Sequence, residues 1–419
     1  MADRRSNLAE LAARQQRTET VTFIDEQAPE AIFCPIVSVD DHALEPPTTF
    51  VDRVPAAMRD RAPRVEVDDD GLPRWVVEHH RLPILFANGA AGRVIEEWRG
   101  AAFCRYEDFR ASVSDPVARL ADMDQAGIWA SLCFGSTLWG FAGSRFSRMK
   151  EAELGLASLR AWNDWMLDEW CATDRDRYLP CQLPWLADPE IAAAEVRHNA
   201  ERGFTSVSFS ENPEGLGFGS IYGGHWDPFF RACAETGTVV NLHVGSSGRT
   251  SNPSTASPPE VIAALFPLSG IETVVDWIYA RIPIEHPDLK VVLSEAGLSW
   301  VPMVAERLRR AHRHVPTSDV WSASDPDPVE LLHRNFWFAS LEDPAGFAML
   351  DRIGVDHVMV ETDIPHMDST WPGCQAMLRS EMVGLTPDTI RKVAFENACA
   401  LYRHPLPPAA LVDRADFGL

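Results

Sequence analysis

Lysine is nearly missing from this chain of 419 residues: of the 38 Lys+Arg, only Lys150, Lys290 and Lys392 are lysine. Positive charge as a whole is outnumbered, with 61 Asp+Glu and a formal net charge of −23. Such a surface repels phosphate backbones and anionic bilayers, which excludes nucleic-acid and membrane-surface partners and leaves a small molecule as the expected one. No C-x-x-C pair occurs among the eight cysteines, which stand singly and mostly within apolar runs, and they read as reduced core residues. No apolar h-region follows the start: residues 1–16 are polar and helix-prone, so no secretory signal is read and a cytoplasmic location is expected. Long uninterrupted apolar runs are also absent. The longest, 261–284, is broken by Pro267, Glu272, Asp276 and Arg281, and is read as no membrane span.

What is present is ordinary globular composition, 46% hydrophobic and 24% charged, enough for a large core. From the second quarter onward a unit recurs: an amphipathic stretch, a Gly or Asp/Asn, four to six mostly apolar or β-branched residues, then a polar loop. That is the βα repeat. Strands are predicted at 36–39, 128–134, 178–183, 205–209, 238–242, 290–293, 336–340 and 357–360, and Gly127, Gly203, Gly237 and Gly354 fall where helices need left-handed caps. Near-continuous apolar strands are buried on both faces, which predicts a parallel sheet, and eight of them favour a distorted (β/α)₈ TIM barrel in an α/β fold. The predicted organisation is an N-terminal extension over 1–34, a barrel domain over 35–405 and a tail over 406–419. An insertion of about 45–115 after strand 1 is far longer than a βα loop and reads as a lid or an oligomer contact.

Four predicted strand ends carry acids or imidazoles: Asp40-Asp41-His42, Asn241-Leu242-His243, Ser294-Glu295-Ala296-Gly297 and Glu361-Thr362-Asp363-Ile364-Pro365-His366. In a barrel such ends converge at one mouth. Side chains two apart on a strand share a face, so Asp40 and His42 can point at one metal. His243 reads as a site residue, followed by a Gly245-Ser246-Ser247-Gly248 loop able to bring backbone amides to a ligand. Glu295, ending an apolar strand, needs a cation or hydrogen-bond donors. Asp363 can ligate a metal while deprotonating bound water; His366 can be a ligand, a partner that orients one, or a substrate contact. Asp40, Glu295 and Asp363 together exceed the charge of one dication, so two metals are an open alternative, and the mixture of carboxylates and imidazoles suits Mn or Fe at least as well as Zn. No lysine lies near 206–211, so a carbamylated-lysine bridge is excluded. Glu45, Ser246, Trp300 and Trp371 are the candidate substrate-pocket residues, with core packing the alternative for the tryptophans.

These motifs, with Asp40-Asp41-His42-Ala43-Leu44-Glu45-Pro46-Pro47, Ser208-Phe209-Ser210-Glu211-Asn212-Pro213, Leu242-His243-Val244-Gly245-Ser246, Glu295-Ala296-Gly297-Leu298-Ser299-Trp300 and Glu396-Asn397-Ala398-Cys399-Ala400-Leu401-Tyr402, resemble the amidohydrolase-related family that includes aminocarboxymuconate semialdehyde decarboxylase and the resorcylate decarboxylases. The resemblance runs from about Ile36 to Tyr402 and implies that Asp40, His42, His243 and Asp363 fall on the family's metal-ligand positions. Three departures stand out: Asp-x-His on strand 1 where the decarboxylases usually have His-x-His or Glu-x-His, Glu295 where many relatives have His, and Glu361 where a small residue is common. An acid-rich branch of the family is similar to dinuclear iron or manganese proteins that activate oxygen, some as paired subunits.

The expected function is a metal-dependent enzyme that hydrolyses or decarboxylates a small organic substrate, with Asp363 and His243 catalytic and Asp40, His42, His243, Glu295, Asp363 and His366 around one or two divalent ions of Zn, Fe or Mn. A dinuclear Fe/Mn oxygenase, for example one that N-oxygenates an amine, and a non-catalytic metal-binding subunit are the alternatives. A homo- or hetero-oligomer with a related barrel subunit is the expected assembly.

Overall fold

The computed structural model describes residues 21–25, 28–29, 31–97, 103–136, 141–314, 320–322 and 324–417. Most of the expected N-terminal extension, residues 1–20, lies outside the described residues.

Twelve strands occur along the described chain: β1 (Ile36–His42), β2 (Arg64–Val67), β3 (Pro73–Val77), β4 (His80–Pro83), β5 (Ile128–Phe134), β6 (Tyr178–Leu179), β7 (Cys181–Gln182), β8 (Ser206–Phe209), β9 (Val239–His243), β10 (Val291–Ser294), β11 (Phe336–Ser340) and β12 (Val358–Val360). β1, β5 and β6 form one parallel sheet and β7 to β12 a second, in chain order. The predicted strand over 178–183 is thus split at Pro180. Proline has no N–H to give the ladder, so the half before it pairs back to β5 and the half after it pairs forward to β8. All seven residues of β1 are buried, as expected of a parallel strand covered on both faces.

The chain leaving β12 returns to β1: Asp363 N donates to Asp40 O at 2.9 Å, and His42 N donates to Ile364 O at 2.8 Å. Two of the site motifs are thereby fixed to each other through main chain. Helices alternate with the parallel strands. Pro189–Arg202 is representative: Asp188 caps its first amides, Pro189 takes the position whose N–H is unneeded, and Gly203, at φ 113°, ends it in the left-handed region. Trp162, Trp165, Trp226 and Trp277 are fully buried between layers.

The long segment after β1 contains an antiparallel meander, β2-β3-β4, which the sequence reading did not foresee. Further along, the segment touches the loop after β12: Ala91 N donates to Pro365 O and Met367 N to Ala87 O. The helical stretch Pro259–Tyr279 overlaps the longest apolar run noted above. Its 21 residues, with a mean hydropathy of 1.6 over an 18-residue window, reach by length and composition alone the measure of a membrane span. In this fold it is interrupted near Leu265 and buries Thr273, Val274, Trp277 and Ile278 inside the protein.

Candidate metal centre

β1 carries an irregularity between Ser38 and Asp41, where three residues advance against two on β5. Such bulges re-aim side chains beside functional sites. Asp40 and His42 turn to one side and Asp41 to the other. His42 Nε2 lies 3.2 Å from Asp40 Oδ1 and 3.2 Å from Asp363 Oδ1. From β9, His243 Nε2 lies 3.4 Å from Asp40 Oδ2 and 3.2 Å from His42 Nε2.

The two imidazoles cannot satisfy each other. His42 Nδ1 faces Gly135 O at 3.4 Å and His243 Nδ1 faces Val244 O at 2.9 Å, and a carbonyl only accepts. Each Nδ1 therefore carries the hydrogen and each Nε2 presents a lone pair. Two lone pairs and two carboxylates meet at separations near the roughly 3 Å between neighbouring ligands of an ion bound at about 2.1 Å.

Two of the three remaining predicted ligands stand on strained backbone. Asp363 has φ 49° and Glu295 φ 58°, in the left-handed region that side chains other than glycine seldom adopt. His366 stacks on His42 with ring centroids 3.6 Å apart and brings Nδ1 to 3.0 Å from Asp363 Oδ1. Glu295 Oε2 lies 3.7 Å from His243 Nδ1. Two ligand sets result, Asp40-His42-His243 and His42-Glu295-Asp363-His366, which share His42.

Unsatisfied atoms test whether a cation fits. Both carboxylate oxygens of Asp40 and of Asp363, with His366 Nε2, are buried and have no hydrogen-bond partner. Orphaned acceptors in the interior are costly, and a divalent ion is the partner their chemistry calls for. Burial raises the Asp40 carboxyl to about 6, against the nearby His243, and holds those of Glu295, Glu361 and Asp363 well above the usual range, with neighbouring carboxylates adding to the effect. Burial lowers His42 to about 3 and lowers His243 and His366 as well, so the imidazoles are neutral donors at neutral pH. Phe141 stacks on His243 at 4.0 Å and Phe134 meets it edge-on, walling the cluster with aromatic rings.

The structure thus brings Asp40, His42, His243, Glu295, Asp363 and His366 together. The candidate pocket residues each make hydrogen bonds within the protein. Glu45 accepts from Ser136 N and Trp162 Nε1 on one oxygen and from Ser136 Oγ on the other. Ser246 Oγ accepts from Glu211 N, Trp300 Nε1 donates to Ala296 O, and Trp371 Nε1 donates to Asp122 O beneath the Arg110 guanidinium. The amides of the 245–248 loop are spent on the protein, Ser246 N on His243 O and Ser247 N on Glu211. Glu361 received no site role from sequence, yet it is buried with Oε1 unpartnered while Oε2 accepts from Glu295 N. Its signal was the acid at its position in the motif.

The amidohydrolase family model matches residues 77–404. The chain belongs to the amidohydrolase family. Solved structures share the fold of this amidohydrolase. An amidohydrolase from Mycobacterium avium subsp. paratuberculosis K-10 is similar with a TM-score of 0.69 at 23% identity, covering 89% of this chain and 100% of that one. The 5-carboxyvanillate decarboxylase of Sphingomonas paucimobilis is similar with a TM-score of 0.59 at 20% identity, covering 89% and 100%. A dihydroxybenzoic acid decarboxylase from Polaromonas sp. JS666, with bound manganese and 2-nitroresorcinol, matches with a TM-score of 0.56 at 15% identity, covering 88% and 97%. No curated protein sequence matches the chain. Membership of the amidohydrolase family is accompanied in this chain by a cluster of side chains suited to a divalent ion. None of the three relatives just named is described as an oxygenase, so the oxygenase alternative gains no support from them.

Proposed function

We propose that this amidohydrolase decarboxylates a small organic acid at the mouth of a closed (β/α)₈ barrel, with a divalent ion held by Asp40, His42, His243 and Asp363 and flanked by Glu295 and His366. The convergence of two imidazole lone pairs on the unpartnered Asp40 carboxylate carries this reading. The hydrogen bonds between the exits of β12 and β1 support closure of the barrel.

A divalent ion bound there supplies a Lewis acid that polarises a substrate carboxylate or acidifies water. The chain's own residues do the rest. Gly135 O and Val244 O hold the two imidazoles in the ligating tautomer. Asp363, whose buried oxygens accept no hydrogen bond, is placed to relay a proton from water to the carbon that loses carboxylate. Phe134 and Phe141 exclude water and offer flat faces to a planar substrate. Hydrolysis is a second reading, favoured by the same Asp363, which can instead take a proton from water.

The test is to load the purified chain with manganese and offer it a panel of hydroxybenzoates and amide or ester substrates. Release of CO₂ supports decarboxylation, whereas incorporation of ¹⁸O from labelled water into the product points to hydrolysis. Turnover unaffected by chelation, or by Asp363→Asn, would refute the metal-centred reading altogether.

A further inference from the structure

A cavity of about 850 Å³ lies between the exits of β8 and β9 and the helix Phe266–Tyr279, and no residue of the metal cluster lines it. Its size is that of a small-molecule site. Glu211 stands in its wall, 5% exposed. This residue is held firmly: its N–H donates to Ser246 Oγ at 2.9 Å, its carbonyl accepts from Trp277 Nε1 at 3.0 Å, and Oε2 accepts from Ser247 N at 3.3 Å. Among the described residues no lysine, arginine or histidine forms an ion pair with it. Burial pushes its carboxyl up to about 7, against hydrogen bonds from the Ser247 and Gly245 amides and the Ser247 and Ser269 hydroxyls, which are neutral donors.

The rest of the wall has a matching sign. Glu272 and Asp276 add two more carboxylates, and the lone guanidinium is that of the exposed Arg249. Glu211 belongs to neither group of metal-binding side chains, so a bare metal ion would find too few ligands around it. Opposite polarity comes from Leu268, Ile271 and Val275, which give the cavity an apolar side. An acid on one wall and hydrocarbon on another suit a ligand with a charged nitrogen and a carbon skeleton, and the net charge of −23 draws cations toward it.

We propose that this cavity binds a small organic ammonium ion, its nitrogen against the Glu211 carboxylate and its carbon skeleton along Leu268, Ile271 and Val275. The site is independent of the metal chemistry proposed above. Titration calorimetry of the full chain at mildly alkaline pH tests it, with benzylammonium as probe and benzyl alcohol and benzoate as controls. Benzylammonium is expected to bind about ten-fold or more tightly than the alcohol, and Glu211→Gln to remove that advantage. Ile271→Trp, which fills the cavity without altering charge, is expected to abolish binding, so the test survives a failure of the first variant to fold. Asp40→Asn is expected to leave ammonium binding intact, which separates this site from the metal centre. The proposal is overturned by no binding of benzylammonium, by equal binding of the alcohol, by preference for benzoate, by wild-type binding in either cavity variant, or by loss of binding in Asp40→Asn.

Discussion

Asp40 and Asp41 are neighbours on β1, equally buried, and burial raises each carboxyl to about 6. Their surroundings differ completely. Asp41 accepts from Ser38 Oγ at 3.1 Å, Thr362 Oγ1 at 2.6 Å and Ile364 N at 3.1 Å, and from Ser131 Oγ. Arg119, whose guanidinium donates to Ser112 O, His42 O and Ile364 O, adds positive charge nearby. Asp40 accepts nothing. One carboxylate is completed by the protein and clamps β1 to the chain leaving β12; the other is left for something the protein does not supply. Burial alone does not separate the two roles, but the tally of hydrogen bonds does.

Substitution should split the pair. Asp40→Asn is expected to lose the metal and about a thousand-fold or more in turnover while the protein stays folded, read by elemental analysis and rate. Asp363→Asn is expected to cut turnover by about 10² to 10⁴ with a smaller loss of metal, the pattern of a proton carrier. Asp41→Ala should do the reverse of Asp40→Asn: about 3 kcal/mol less stability in urea unfolding, with the metal retained in the molecules that remain folded. If both aspartate variants lose metal equally without loss of stability, the distinction between them fails.

Acidity sharpens the same contrast. The carboxyls of Asp40, Glu295 and Asp363 are raised, so below their pKa values a cation must displace protons, whereas the imidazoles, lowered by burial, are already neutral. Metal affinity is therefore expected to climb as pH rises through about 6, with protons released on binding in weakly buffered solution. The smallest effect is expected of Phe141→Ala, about three- to ten-fold in rate, through loss of the ring stacked on His243.

Sequence periodicity was enough to find all eight parallel strand positions, because strands buried on both faces read as apolar runs. It missed the break at Pro180 and the β2-β3-β4 meander, whose alternation is shorter and mixed with charge. Asp40, His42, His243, Glu295, Asp363 and His366 were legible because strand-end position marks them. The function of Asp41 was not, since it depends on Ser131 and Thr362, which come from distant parts of the chain. Glu45 is a different case: the motif marks it as a pocket acid, and only the structure shows that its oxygens accept from Ser136 and Trp162.

The central claim is that the unpartnered Asp40 carboxylate and the two facing imidazoles form a cation site. Its most direct test is elemental analysis of manganese-loaded protein after exhaustive removal of free ion, comparing the native chain with Asp40→Asn. The account predicts at least about one ion per chain in the former and almost none in the latter. Full occupancy in Asp40→Asn, or none in the native chain, would contradict it.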